Sequence, residues 1–289
     1  MPLSRLFGSR KKAALPGQEL AELFDEYKGL RPVDLRQMGN DPRLLGYFCR
    51  PVVVTVSTNL GRGHFAYPVG DAQHPWELAA RLALRSEQPF RDIVELLHDY
   101  HLRGKPGDLL EYMDVTEAEA PALAGLPPSQ AFRPWDPRPM EFLARKKAGR
   151  KRKTIDRIEQ TRKGAEIAAH DLLELIESVS RDGILRHDGP GGDITAALLQ
   201  NNSGQWRWQV RDGNHRAMVF SALGFKEIPV RCVQLVRRDE ATLWPAVREG
   251  AYSPELAEKL FDRVFDAHVP ARVANWLRDR GINLESPAP

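Results

Sequence analysis

Residues 206–236 read as a strand, a tight turn, a helix and a second strand, and this order constrains the fold more than any other stretch. Apolar and polar side chains alternate over 206–211, which is the period of a strand with one buried face. Asp212-Gly213 breaks that strand because glycine tolerates a positive φ. Asn214 is placed to cap the helix that follows, and alternation resumes over about 228–236.

The turn between the first strand and the helix also carries chemistry. A helix N-terminus offers N–H groups and a positive dipole end, and both favour an anion. Arg216 can give a forked pair of hydrogen bonds, His215 can exchange a proton near neutral pH, and Gly213 lets a ligand approach the backbone. These residues predict a phosphate site formed by Gly213, Asn214, His215 and Arg216, with His215 and Asp212 as candidate catalytic residues. The alternative is a structural corner whose His and Arg bind neighbouring carbonyls.

Over about residues 154–238 the chain resembles the ParB/sulfiredoxin superfamily. The resemblance rests on the Gly-x-His-Arg motif at 213–216 and on its context, which is a helix over 171–182, a Gly-Ile-Leu turn at 183–185 and an Ile-Pro-Val strand at 228–230. In that superfamily the motif opens a helix beneath a nucleotide phosphate. The resemblance implies an α+β fold, in which helices pack on a small mixed sheet, and binding of ATP or CTP with Mg²⁺.

Members of that superfamily differ in their chemistry. Sulfiredoxin requires a cysteine immediately before the His-Arg pair, where this chain has Asn214, and a carboxamide cannot act as a sulfur nucleophile. ParB partition proteins carry a Glu-Asn-x-x-Arg patch, which Arg-Arg-Asp-Glu at 237–240 does not match. Among the members of the superfamily, the chain then resembles the nucleotide-dependent phosphotransferases that act on small hydroxyl compounds. A hydrolase is the other activity that this resemblance allows. It implies that His215 and Arg216 hold phosphate and that Asp212 binds Mg²⁺ or orients His215. The candidate bases for the acceptor are Glu159, Glu166 and Glu174.

Residues 145–163 form a strongly basic segment, although the whole chain has a net charge of only +3. Its cluster Arg150, Lys151, Arg152 and Lys153 could contact DNA, RNA or another polyanion. No aromatic residue interrupts the segment to stack on bases, and an exposed basic helix is often simply solvated. Polyanion binding of the ParB type is therefore the alternative function.

Changes in composition predict five regions along the chain. The proline-rich stretch marks the main boundary, and its Trp135 predicts that it lies against a domain surface. A β-branched run over 51–58 predicts a strand in the first half, and Gly61-Arg62-Gly63-His64 is predicted to be a loop. The regions are a flexible basic tail (1–18), an N-terminal α/β region (19–120), a proline-rich then basic linker (121–153), a ParB-like domain (154–238) and a C-terminal helical extension (239–289).

Composition also argues against several classes of site. Cys49 and Cys232 lack metal-ligand spacing, and His98 and His101 are predicted to form a surface or partly packed pair, so no protein-bound metal is predicted. No apolar run is long enough to cross a bilayer, and the N-terminus lacks the apolar core of a signal peptide. We therefore expect a cytoplasmic protein without membrane association. The sequence makes no prediction of oligomeric state.

Overall fold

The fold is that of a computed structural model, which describes Glu26 and residues 30–126, 133–136, 161–186 and 193–282. Across these residues the protein is mixed α+β, with one six-stranded mixed sheet. The predicted basic tail at 1–18 and the basic cluster Arg150–Lys153 lie outside the described residues. None of the helices in the described ranges combines the length and apolar character needed to cross a membrane.

The sheet has the strand order β1-β2-β6-β4-β5-β3. Strand β4 pairs parallel with β6 and antiparallel with β5, while β2 pairs antiparallel with β6. The two short strands β1 and β3 pair parallel with β2 and β5. The strand bounds are Val33–Asp34 (β1), Val52–Ser57 (β2), Gly61–Arg62 (β3), Ile194–Gln200 (β4), Trp206–Asp212 (β5) and Glu227–Arg237 (β6).

This sheet crosses the boundary predicted between the N-terminal region and the ParB-like domain. Strands β1 to β3 come from the first region and β4 to β6 from the second. Their side chains also contribute to one buried apolar cluster. The prediction of a loop at 61–64 is wrong for its first two residues, because Gly61 and Arg62 pair with β5 as strand β3. The described parts of both regions therefore share a sheet and a core.

Eight α-helices lie in the described residues. Several begin with proline at the first helical position, where the missing N–H costs nothing. Helices α1, α2, α4 and α5 contact one another. Their bounds are Pro75–Ala83 (α1), Pro89–Asp99 (α2), Leu109–Met113 (α3), Arg162–Asp182 (α4), Asn214–Ala222 (α5), Pro245–Arg248 (α6), Pro254–Phe265 (α7) and Ala271–Asp279 (α8).

Strand β5 separates an apolar from a polar face of the sheet. Trp208 and Val210 are fully buried in the apolar cluster, and alternation places Gln209 on the opposite face. The polar face is covered by the tetrapeptide 133–136 and by α7. Trp135 packs edge-on against Trp244 and Phe261, with ring centroids 5.2 and 5.7 Å away. The prediction that this proline-rich segment lies against the folded body is confirmed at Trp135, which is 1% exposed.

Candidate functional site

The turn between β5 and α5 is built on Gly213. Its φ is +84°, a left-handed conformation that glycine adopts without strain, and Asp212 Oδ1 accepts the Gly213 N–H at 2.9 Å. The prediction that Asn214 caps the helix is wrong, because Gly213 is the N-cap and Asn214 is the first helical residue. The left-handed glycine makes the turn, which leaves the side chain of Asn214 available for contacts outside the helix.

The guanidinium of Arg216 folds back over this turn. A Cβ atom placed on Gly213 would lie 2.8 Å from Arg216 Nη2, so a larger residue would require the Arg216 side chain to shift. Nη2 also donates to the backbone oxygen of Asp193 at 3.4 Å, and the Asp193 carboxylate pairs with Arg186 at 3.1 Å. The first backbone hydrogen bond of α5 runs from Ala217 N–H to Gly213 O, so the N–H groups of 214–216 precede the helical ladder. A cation therefore lies beside the positive end of a helix.

His74, at the start of α1, meets Asn214. Its Nδ1 accepts the backbone N–H of Trp76 at 3.1 Å, and its Nε2 lies 3.0 Å from the carboxamide of Asn214. The other end of that carboxamide lies 3.4 Å from the backbone nitrogen of His64. Nδ2 of Asn214 is the atom that faces His74, and Oδ1 accepts the His64 N–H. Burial, with smaller contributions from His215 and His64, lowers the pKa of His74 well below its usual range.

His215 is exposed and stacks on Trp76. The two ring centroids are 3.7 Å apart, with 26° between the planes. The contact holds the imidazole on a flat, rigid surface beside the first turn of α5. The start of α1 thus supplies both the partner of Asn214 and the support of His215, and neither His74 nor Trp76 was predicted from the sequence to belong to the site.

The Gly-x-Gly-His stretch after β2 also reaches the turn. A Cβ atom on Gly63 would lie 2.8 Å from the terminal methyl of Met218 and 3.0 Å from Asn214 Oδ1, so the backbone approaches the turn closely at this glycine. Arg133 Nη2 lies 3.0 Å from His64 Nδ1. Because arginine only donates, Nδ1 accepts and the neutral His64 ring carries its proton at Nε2. The glycines of this stretch were the sequence signal for close packing, although nothing local indicated what they pack against.

Arg62, in the same stretch, has a structural role. It is 3% exposed and donates to the backbone oxygens of Val264 and Phe265 at the end of α7. Burial, followed by the charge of Arg207, lowers the pKa of Arg62 to about 10. Since its donors are used on helix carbonyls, Arg62 anchors α7 to the sheet instead of facing a ligand.

The predicted catalytic carboxylates Asp212, Glu166 and Glu174 are all exposed. Asp212 is exposed and its described contact is with the Gly213 N–H. Glu166 and Glu174 lie on the exposed face of α4, where their partners are Arg162 at 3.9 Å and His170 at 3.5 Å, and Glu159 lies outside the described residues.

A carboxylate not predicted from the sequence, Glu77 of α1, is fully buried next to α5. It accepts from Ser221 Oγ at 3.0 Å, from the Gly70 N–H at 2.9 Å and from Arg81 at 2.7 Å. These hydrogen bonds tie α1 to its surroundings, so Glu77 positions the site. Because its carboxylate oxygens already accept these hydrogen bonds, Glu77 is not placed to act as a general base.

One group of side chains has the spacing of metal ligands. Ligand atoms of His170, Asp171 and Glu174 lie within 4.8 Å of one another on a single exposed turn of α4. Exposed groups of this kind are common without an ion. The predicted His98–His101 pair is partly packed at His101, whose Nδ1 lies 2.7 Å from the Leu97 backbone oxygen.

Comparisons with protein-family models, with curated proteins and with solved structures found no match. The resemblance to the ParB/sulfiredoxin superfamily therefore stays a prediction from the sequence.

Proposed function

We propose that this protein binds ATP or CTP, with Mg²⁺, through the nucleotide phosphates at the N-terminus of α5. The observation that carries the proposal is the position of Arg216, whose guanidinium lies over Gly213 beside the first N–H groups of the helix. Guanidinium, helix dipole and backbone N–H groups are the groups that recognise phosphate. The proposed ligand follows from this combination and from the superfamily resemblance.

Each residue of the turn has a role in this proposal. Arg216 and the N–H groups of 214–216 bind phosphate oxygens, and Gly213 lets those oxygens approach the backbone. His215, supported by Trp76, donates a hydrogen bond or neutralises charge on the phosphate. Asp212 offers an exposed carboxylate oxygen of the kind that Mg²⁺ prefers. The residues present therefore fit a magnesium nucleotide.

The proposed chemistry is phosphoryl transfer to a small hydroxyl compound, or hydrolysis. Enzymes of this type act mainly by positioning the phosphates and stabilising the charge that develops in transfer, and Arg216 and His215 are placed for both tasks. Glu166 and Glu174 are poor candidates for the acceptor base because both project from the outer face of α4.

The proposal is tested by calorimetric titration of the full chain with ATP and CTP in the presence of Mg²⁺. Arg216→Ala and His215→Ala should each weaken binding about 10- to 100-fold, since each removes a charge-assisted hydrogen bond. Arg248→Ala and His170→Ala are matched controls, because both residues are exposed and lie on other helices. Equal affinity in wild type and both site variants would contradict the proposal.

Polyanion binding through the basic segment is the second candidate. Arg162 and Lys163, the last basic residues of that segment, are exposed on the first turn of α4. The test is fluorescence anisotropy with labelled DNA and RNA over a range of salt concentrations. Neutralising Lys151, Arg152 and Lys153 together should weaken binding and flatten its salt dependence. No binding at low salt would remove this candidate.

A further inference from the structure

The chain that leaves β3 continues toward the end of the sheet that carries the turn 212–216. Strand β3 runs parallel to β5, and Arg62 lies opposite Gln209. Because parallel strands run in the same direction, the chains that leave β3 and β5 emerge at the same end of the sheet. The two residues that follow β3 are Gly63 and His64.

Gly63 and His64 contact the first turn of α5. The backbone nitrogen of His64 lies 3.4 Å from Oδ1 of Asn214, and a Cβ atom on Gly63 would lie 3.0 Å from the same oxygen. Burial is the main cause of the lowered pKa of His74, and the charges of His215 and His64 lower it further. Three imidazole rings from separate segments therefore lie close to the start of α5.

The ring of His64 is held by Arg133. Nη2 of Arg133 lies 3.0 Å from Nδ1 of His64, and Nδ1 is the acceptor because a guanidinium only donates. The neutral ring therefore carries its proton at Nε2, on the side of the ring away from the guanidinium. Arg133 is 5% exposed, whereas His64 is only half-buried. A buried side chain thus fixes the tautomer of a ring that reaches the surface.

The tetrapeptide 133–136, which supplies this guanidinium, is itself held in place. All four of its residues are buried. The backbone oxygen of Trp135 accepts from Gln234 Nε2 at 2.8 Å, and the buried carboxylate of Asp136 pairs with Arg211 at 3.4 Å. Arg211 immediately precedes the turn between β5 and α5. The donor that holds the histidine ring therefore comes from a buried segment tied to the same end of β5.

We propose that His64 is a further phosphate-binding residue of the nucleotide site and that Arg133 is its positioning residue. The inference rests on the proposed function. Since Arg133 occupies Nδ1, the ring offers its Nε2–H to an oxygen of the phosphate bound at the start of α5. His215 and Arg216 approach that phosphate from the helix, and His64 approaches it from the end of β3. Contacts from two segments fix the orientation of the phosphate, which phosphoryl transfer requires.

The test compares the affinity of the full chain and its variants for ATP with Mg²⁺ by calorimetric titration. His64→Leu removes the Nε2 donor and should weaken binding about tenfold, the effect of losing one hydrogen bond to a charged group. His64→Gln keeps an N–H donor near the position of Nε2 and should bind within about threefold of wild type. His64→Asn places its amide nearer the position of Nδ1 and should not restore binding. His170→Leu, on the exposed face of α4, is the control and should bind as wild type does.

The positioning role of Arg133 is tested by a double-mutant cycle. Arg133→Met should weaken nucleotide binding in the wild-type chain but add no further loss to His64→Leu, because the guanidinium acts through the His64 ring. Long-range ¹H–¹⁵N spectra of the wild-type imidazoles provide a second measurement should Arg133→Met fail to fold. They should show the neutral His64 ring protonated at Nε2, with a shift on addition of ATP that the His170 ring does not show.

Three results would overturn this inference. These are wild-type affinity in His64→Leu, equal losses in the Leu, Gln and Asn variants, and a neutral His64 ring protonated at Nδ1. Its failure can be distinguished from that of the proposed function. If the wild-type chain binds no nucleotide, both are wrong. If Arg216→Ala loses binding and His64→Leu does not, the proposed function stands and only the role of His64 is wrong.

Discussion

At the scale of single residues, His74 joins the two helix starts that form the candidate site. It caps α1 through Nδ1 and contacts Asn214 of α5 through Nε2, while only 5% of the residue is exposed. Charging this ring would require Nδ1 to become a donor facing the Trp76 N–H, which is itself a donor. The neutral form of His74 is therefore part of the folded structure.

Stability should depend on pH through His74. Its pKa in the folded protein lies below the ordinary value of 6.5, so the unfolded chain binds the proton more tightly and stability falls as the pH drops below about 6.5. When protonated, His215 and His64 lower the pKa of His74 further, and Arg133 contacts His64. Urea unfolding at pH 7.5 and 5.5 measures the loss. His74→Asn, which keeps a capping side chain, should reduce it, whereas the exposed His170→Asn should not. An unchanged loss in His74→Asn would contradict this assignment.

Glycine at position 213 supplies the left-handed backbone conformation of the turn and leaves space for the Arg216 guanidinium. Gly213→Ala should cost about 1–2 kcal/mol from the left-handed φ alone and should also displace Arg216, so nucleotide binding should be lost. Gly204→Ala is the matched control, because Gly204 has a φ of +78° with no atom within 4 Å of its would-be Cβ. Denaturant unfolding and calorimetry measure the two effects. Retained binding in Gly213→Ala would argue against Arg216 as a phosphate ligand.

At the scale of elements, the site forms where the starts of α1 and α5 meet. Glu77 of α1 holds this arrangement, since its carboxylate accepts from Ser221 of α5 and from the Gly70 N–H. The register of the two helices sets the stacking of His215 on Trp76. A change at Glu77 should therefore disturb the site without touching any proposed ligand.

Glu77→Ala should destabilise the protein by about 2–3 kcal/mol, because it leaves buried donors without an acceptor. Glu95→Ala on α2 is the control, since that carboxylate is 56% exposed and its pair with Arg91 contributes little. Urea unfolding followed by circular dichroism gives both values, and hydrogen exchange should show faster opening at the start of α5. Equal effects of the two substitutions would contradict a positioning role for Glu77.

At the scale of the whole molecule, one sheet unites segments that are far apart in sequence. Strand β2 pairs with β6 over its full length, from Val52 opposite Cys232 to Ser57 opposite Glu227. Without β2, the long strand β6 would become an exposed edge, which is an aggregation hazard. The predicted ParB-like domain at 154–238 is therefore expected to depend on the N-terminal region for its stability.

A chain that begins at residue 154 should aggregate or show little amide protection, because it lacks β1, β2 and β3. Co-expression with residues 1–153 should restore soluble, protected protein if the two pieces rebuild the sheet. Circular dichroism and hydrogen exchange on the purified samples give the comparison. A monomeric 154–289 fragment with the protection pattern of the full chain would show that the predicted domain folds alone.

The amino-acid sequence alone predicted the strand–turn–helix–strand unit of β5, α5 and β6 and the left-handed Gly213. These features follow from alternation, helical spacing and glycine, which are local signals. It did not indicate that Asn214 contacts His74, nor that His64 and Arg133 come to the same turn, because contacts between residues 69 to 150 positions apart leave no period in the chain. The pairing of β2 with β6 across the predicted domain boundary likewise depends on the tertiary structure, in which backbone N–H and C=O groups of distant strands form hydrogen bonds.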